Sequence, residues 1–185
     1  MRTHRLSTVG IAATVALAGV LATPGAVAAP AAERGATERA TVVRVIDGDT
    51  VKVRLDGGPR VTVRLLGIDT PEVHNGEECW EEQASLAAKR LLSGATRVRL
   101  ISDTSQANRD RYGRLLRYVI KGRSKDVGAK LVYRGHAEVH MYNRPFERLR
   151  KYQRFENLAK RDDRGLWGHC AQTPPASGSS APARE

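Results

Sequence analysis

The feature that most constrains the fold is a pair of alternating segments separated by a short turn. Apolar residues alternate with polar ones in 51–55 and again in 61–65. A period of two residues is typical of half-buried β-strands. Between them, 56–59 reads Asp-Gly-Gly-Pro, a composition that favours a tight turn. We therefore expect an antiparallel β-hairpin.

This hairpin brings two acidic residues to one end. Asp49 opens the first strand and Asp69 follows the second, so antiparallel pairing places them close together. Asp49 is in phase with the apolar residues of its strand, where an unpaired charge is costly. A hard divalent cation held by both carboxylates would neutralise it, and Arg64 would serve the same end. The stretch predicts a metal or phosphate site.

Charge indicates the class of partner. Lysine and arginine total 31 against 20 acidic residues, giving a formal net charge of +11. This surplus favours an acidic partner, most simply nucleic acid, although a solvated arginine-rich surface explains it equally well. A chain of 185 residues is enough for one domain with its own core.

The N-terminal segment 1–28 has the pattern of a secretory signal peptide. It begins with Arg2 and Arg5, continues through an apolar run over 9–20 and ends in small residues at 26–28. The run is too short to span a membrane. We expect a secreted protein that has no membrane contact once the signal is removed.

The remaining chain is predicted to hold one folded domain. Residues 29–40 are expected to be a disordered spacer, 41–171 the domain, and 172–185 a disordered tail. Five strands are predicted at 41–46, 51–55, 61–65, 98–100 and 115–120, and three helices at 80–92, 126–135 and 148–161. This order fits an α+β, mainly β fold: a five-stranded antiparallel OB-type barrel with three helices.

Four motifs carry a resemblance to a known family. In chain order they read VIDGDTVKV, VRLLGIDTPE, DRYGRLLRY and GLW. Over roughly 41–170 the chain resembles the staphylococcal nuclease (thermonuclease) family. The resemblance implies an OB-fold nuclease that uses Ca2+ to hydrolyse phosphodiester bonds in DNA and RNA and leaves 3′-phosphates.

The resemblance also assigns acidic residues to roles. Asp49 and Asp69 match the family's calcium-binding carboxylates, and the main-chain carbonyl of Thr70 matches a further calcium ligand. Glu72 matches the carboxylate that acts on the attacking water, as general base or as the group that orients it. Asp47 matches an acidic residue just outside the calcium shell.

Cations and aromatic residues complete the implied site. Arg64 and Arg114 match two arginines that bind the scissile phosphate, a task suited to their forked donors. Tyr112 matches a tyrosine beside the nucleotide. Where the type member has two further tyrosines, this chain has only Tyr142, within HMYNRP.

Each motif also has a simpler interpretation. Asp47-Gly48-Asp49 alone is typical of a turn, and 69–72 alone is typical of a helix cap with proline at the first position. A noncatalytic OB-type module that binds nucleic acid would share the barrel and the charge. Only a catalyst needs both acids at one hairpin end together with two arginines, so hydrolysis is the preferred interpretation. No heptad pattern is present, and we expect a monomer.

The two cysteines, Cys79 and Cys170, are expected to form a disulfide because an exported protein meets an oxidising environment. Two free thiols, or a zinc site with His169, are the alternatives, and the zinc site has too few ligands. The histidines at 74, 136 and 140 are isolated in the sequence. They are interpreted as packing or surface residues.

Overall fold

The computed structural model describes residues 35–71, 79–93 and 96–170. The predicted signal peptide at 1–28, the spacer up to residue 34, Glu72 and the tail at 172–185 lie outside these residues. The described part contains eight strands and four helices: β1 Thr37–Val45, β2 Thr50–Leu55, β3 Arg60–Leu65, β4 Ile68–Asp69, α1 Glu81–Leu91, β5 Arg97–Ile101, β6 Leu115–Lys121, β7 Lys125–Asp126, α2 Val127–Tyr133, β8 Glu138–Val139, α3 Leu149–Arg161 and α4 Leu166–His169.

Five of the strands close into a barrel in the order β3-β2-β1-β5-β6. The pairs β1–β2, β2–β3, β1–β5 and β5–β6 are antiparallel. The barrel is closed by β3 and β6, which run parallel. The predicted OB-type barrel with three helices is confirmed. The parallel closing pair and the single turn of α4 were not predicted.

The first strand starts earlier than predicted, at Thr37 instead of residue 41. Residues 37–41 pair with β5, whereas 40–45 pair with β2, so β1 spans both neighbours. Ala40 is fully buried. The prediction of a disordered spacer over 29–40 is therefore wrong for its last four residues, because the charged Glu38 and Arg39 concealed the alternation.

The core lies inside the barrel and under the helices. Alternate residues of the strands point inward, as the period of two requires. Helix α1 contributes the small residues Ala84, Ala87 and Ala88, which allow close packing, and α2 contributes Leu131 and Val132. The outward positions of the same strands carry the charged residues.

Helix α2 begins where the sequence predicts. The side chain of Asp126 accepts a hydrogen bond of 3.1 Å from the amide of Ala129, which is the expected N-cap contact. The same carboxylate accepts from the Tyr152 hydroxyl at 2.9 Å and from Arg148 at 2.7 Å. One buried acid thereby fixes α2 against α3.

A disulfide joins Cys79 to Cys170, as predicted. It links the residues just before α1 to the residue that follows α4. Trp80, between Cys79 and α1, donates from its indole nitrogen to Nδ1 of His136 at 3.0 Å. Burial, followed by the positive charges of Arg134 and Arg90, lowers the pKa of His136, which agrees with its role as an acceptor.

Among the described residues, no helix has both the length and the apolar character needed to cross a membrane.

Removing the disulfide should destabilise the fold. The bridge closes a loop with a sequence separation of 91, and loss of a native disulfide of this kind costs about 2 to 5 kcal/mol. We expect the Cys79→Ser/Cys170→Ser double variant to lose that much free energy of unfolding, measured by urea denaturation. Reduced wild-type protein should match the variant; equal stability of oxidised and reduced protein would contradict the prediction.

Candidate active site

The predicted hairpin forms and sets the position of Asp49. Thr50 lies directly opposite Arg64 in the β2–β3 register, and the amide of Leu65 donates to the carbonyl of Asp49 at 2.8 Å. Asp49 is fully buried. Its carboxylate accepts from the Thr50 hydroxyl at 3.0 Å and from the amide and hydroxyl of Thr70 at 3.1 and 3.2 Å.

Arg64 lies between the two predicted acids. Its Nη1 forms an ion pair with Asp49, and its Nη2 donates to Oδ1 of Asp69 at 2.5 Å. Nη2 also donates to the Tyr142 hydroxyl at 3.2 Å. The arginine side chain is 3% exposed, whereas that of Asp69 is 45% exposed. The hairpin therefore brings both carboxylates to one buried guanidinium.

The turn before β2 explains the sequence Asp-Gly-Asp-Thr. The Asp47 side chain accepts from the amides of Asp49 and Thr50 at 3.0 and 2.6 Å, which closes the turn. A Cβ on Gly48 would lie 2.6 Å from the Thr70 hydroxyl oxygen, so only glycine fits. Burial raises the pKa of Asp47, although hydrogen bonds from Thr50 and the charges of Arg64 and Arg114 act in the opposite direction.

A second, two-stranded sheet holds the other side of Asp69. Strand β4 pairs with β8, and Asp69 lies opposite Glu138. The chain after β8 then places His140 with Nδ1 4.0 Å from Oδ2 of Asp69. The rings of His140 and Tyr142 meet edge to face with centroids 4.3 Å apart. The interpretation of His140 as an isolated residue missed this contact, because two strands of two residues each leave no periodic signal.

The loop between β5 and β6 positions Arg114. Asp110 accepts from the amide of Arg114 at 2.9 Å and from its Nε at 2.6 Å. Arg114 then reaches Thr50 through a long hydrogen bond of 3.5 Å. Burial favours the neutral form of Asp110, but the hydrogen bonds from Arg114 outweigh it and lower the pKa of Asp110.

Asp110 was not predicted as a site residue. The available signal was its spacing of four residues from Arg114 across a turn at Gly113, which has φ of +78°. The predicted Tyr112 lies on this turn and is 67% exposed. The Arg114 guanidinium carbon lies 5.4 Å from the centre of its ring.

These elements enclose a cleft of about 640 Å³. Six of the predicted site residues line it, while Asp49 lies buried behind Arg64 and Asp47 closes the turn. Glu72 is outside the described residues, so its position relative to the cleft is not described. The lining comprises Arg64, Asp69, Thr70, Gln106, Ala107, Arg109, Asp110, Arg111, Tyr112, Arg114, Leu116, His140, Tyr142 and Asn143.

The cleft has the chemistry of an anion site, with Asp69 in its lining and Asp49 buried behind Arg64. Arginines line it from β3 and from the β5–β6 loop, and forked donors of this kind match phosphate oxygens. No group of three or more His, Cys, Asp or Glu side chains suited to a metal occurs within the described ranges. Asp49 and Asp69 nevertheless converge on one cation, Arg64. Two carboxylates held in this way, beside the chain at Thr70, fit a hard divalent ion.

Comparisons with known proteins identify relatives. Residues 62–169 match the family model described as Staphylococcal nuclease homologue. The thermonuclease of Staphylococcus hyicus is 32% identical over 131 residues, covering 69% of this chain and 75% of the relative. Endonuclease YncB of Bacillus subtilis is 36% identical over 131 residues, covering 69% and 60%. An uncharacterised protein of Methanocaldococcus jannaschii is 32% identical over 148 residues, covering 68% and 70%.

The contact between Asp110 and Arg114 predicts a pH-dependent stability. A carboxyl whose pKa is lowered by folding contributes stability above its unfolded pKa of about 3.9 and loses it as the pH falls further. We expect Asp110→Asn to be less stable than wild type by about 1 kcal/mol at neutral pH. The difference should shrink as the pH is lowered below about 3.9. Urea denaturation at several pH values measures it, and a pH-independent difference would contradict the assignment.

Proposed function

Because the chain belongs to the staphylococcal nuclease family, we propose that it is a secreted, calcium-dependent nuclease that hydrolyses phosphodiester bonds of DNA and RNA and leaves 3′-phosphate ends. The observation that carries the proposal is the convergence of Asp49 and Asp69 on Arg64, which lines a cleft together with Arg114. A module that only binds nucleic acid has no use for two carboxylates in a site for phosphate.

Arg64 and Arg114 are the proposed phosphate-binding residues. They come from different elements, β3 and the β5–β6 loop, and face the same cleft. Asp110 holds the Nε side of Arg114, which keeps the guanidinium in one orientation. Nε of Arg64 is buried without a hydrogen-bond partner in the part of the chain that the structure describes. Such preorganised donors stabilise negative charge that develops on phosphate oxygens during hydrolysis.

Asp49, Asp69 and the carbonyl of Thr70 are the proposed calcium ligands. When bound, calcium would supply positive charge to the phosphate and to the departing oxygen. Asp49 is held by hydrogen bonds from Thr50 and Thr70, so its orientation does not depend on the metal. Asp69 is more exposed and is fixed by β4 pairing with β8.

Glu72 is the proposed partner of the attacking water, as general base or as the group that orients it. Thr70 lies two residues before it and is anchored through its amide to Asp49. Water attack on phosphorus with rupture of the bond to the 5′ oxygen leaves the phosphate on the 3′ side and a 5′ hydroxyl. Tyr112 and Tyr142, both exposed at the cleft, are proposed to contact the nucleotide.

Secretion and a monomeric state complete the proposal. The pattern over 1–28 supports export, and the disulfide between Cys79 and Cys170 suits an oxidising environment. We propose that the protein, after removal of the signal peptide, is a monomer that does not contact a membrane.

Loss of a phosphate-binding arginine should remove most of the activity. We expect Arg114→Ala to lower the rate of DNA hydrolysis by about two to three orders of magnitude, the usual effect of deleting one transition-state donor, and Glu72→Gln to remove most activity as well. Arg154→Ala, on the exposed surface of α3, is the matched control and should retain wild-type rates. Wild-type rates from folded Arg114→Ala protein would eliminate the assignment.

Calcium should be required for cleavage and should also stabilise the fold. Single-stranded DNA should be cut with calcium, not cut with excess chelator, and cut again when calcium is restored. Because a ligand that binds only the folded state raises stability, calcium should raise the melting temperature of wild-type protein more than that of Asp69→Asn. If folded protein binds DNA and never cuts it with calcium, the noncatalytic binding module replaces the nuclease.

A further inference from the structure

One outer face of the barrel carries opposed positive charges. Arg54 of β2 lies directly opposite Arg60 of β3, and Arg44 of β1 lies directly opposite Lys52 of β2. All four side chains are exposed or half-exposed, whereas Val51 and Val53 of β2 and Val63 of β3 are buried in the core. We call these four residues the cationic sheet face.

The cationic sheet face is not neutralised by the described part of the protein. None of its four side chains has a hydrogen bond or ion pair with another described residue. Like charges directly opposite one another destabilise a sheet. Some other cations of the barrel are paired, Arg97 with Asp56 and Arg117 with Glu38, whereas Arg39 of β1 lies directly opposite Arg99 of β5. The four unpaired cations of the sheet face favour an external anion.

The cationic sheet face leads directly into the cleft. Alternate residues of a strand share one side. Thr50, Lys52 and Arg54 therefore lie on one side of β2, directly opposite Arg64, Thr62 and Arg60 of β3, respectively. Each step of two residues advances about 6.6 Å. Thr50 contacts Arg114. A row of cations thus extends from the proposed phosphate-binding arginines along the outside of the barrel.

We infer that the cationic sheet face binds the sugar-phosphate backbone of single-stranded nucleic acid beyond the scissile phosphate. The inference rests on the proposed function, because the same substrate strand would occupy the cleft and this face. A polymer with repeated phosphates matches a row of cations better than a single small anion does. The four positions hold no aromatic side chain, so the contact is to phosphates, independent of base sequence.

A pair of charge-matched variants tests the inference. Arg54→Gln/Arg60→Gln removes two opposed cations of the sheet face. Arg150→Gln/Arg154→Gln removes two exposed arginines one helical turn apart on α3, which border a separate depression. Both variants change the net charge by the same amount, and both remove arginines that have no ion pair among the described residues.

Binding is measured by fluorescence anisotropy with a labelled single-stranded DNA of about twenty nucleotides, over roughly 0.05 to 0.3 M salt. A chelator is present throughout so that the DNA is bound without being cut. For a single strand the slope of log K against log salt changes by about 0.7 for each phosphate contact. We expect the slope of the sheet-face variant to fall by about 1.4 and its affinity at 0.1 M salt to fall on the order of tenfold. The α3 variant should keep the wild-type slope.

Stability and cleavage separate the possible outcomes. The unbound sheet-face variant should melt at or above the wild-type temperature, because repulsion between opposed arginines is removed; this shows that weaker binding is not caused by misfolding. Equal slopes for the two variants overturn the inference. If wild-type protein nevertheless cuts DNA with calcium, the nuclease proposal remains valid although the inference about the sheet face is rejected. If the salt dependence of binding decreases only in the sheet-face variant, and wild-type protein never cuts DNA, then the sheet face does bind nucleic acid but the nuclease proposal fails.

Discussion

The buried guanidinium of Arg64 is the interaction on which the architecture of the site depends. Asp49 is fully buried and Arg64 nearly so, and either charge alone at such a position would be strongly destabilising. The ion pair between them forms only if β2 and β3 pair in one register, since a shift of one residue would turn Arg64 into the core. The charge pair and the apolar alternation of the strands therefore favour the same hairpin register, which positions the site.

Two further acids position functional groups of the site. Asp47 closes the turn that presents Asp49, and Asp110 holds Arg114 through its backbone and its side chain. Thr50 links the β2–β3 hairpin to the β5–β6 loop, because its hydroxyl contacts both Asp49 and Arg114. Donors fixed in advance need no reorganisation when a phosphate binds. The donors and acceptors of the cleft are therefore positioned by contacts within the barrel and the β5–β6 loop.

The sequence predicted those structural features that have a local sequence pattern and missed those that depend on distant parts of the chain. The hairpin and the meeting of Asp49 with Asp69 depend on alternation and one turn, and both were predicted. The contact of His140 with Asp69 depends on β4 pairing with β8 across about seventy residues, and strands of two residues leave no pattern. The parallel closure of β3 with β6 is likewise a long-range event. The early start of β1 was missed because Glu38, which pairs with Arg117, resembles a solvated spacer residue.

The surplus of cations can be examined by asking which of them pair with acids. Several described acids are engaged by cations in structural or site contacts, such as Asp126 with Arg148 and Asp110 with Arg114. Ion pairs among the described residues also lie on the barrel, where Asp56 pairs with Arg97 and Glu38 with Arg117. On the cationic sheet face the backbone register forces like charges together. Opposed cations also occur at Arg39 and Arg99. What distinguishes the cationic sheet face is that β2 and β3 continue from it to Thr50 and Arg64 at the cleft, so an anionic strand bound in the cleft would lie across both strands.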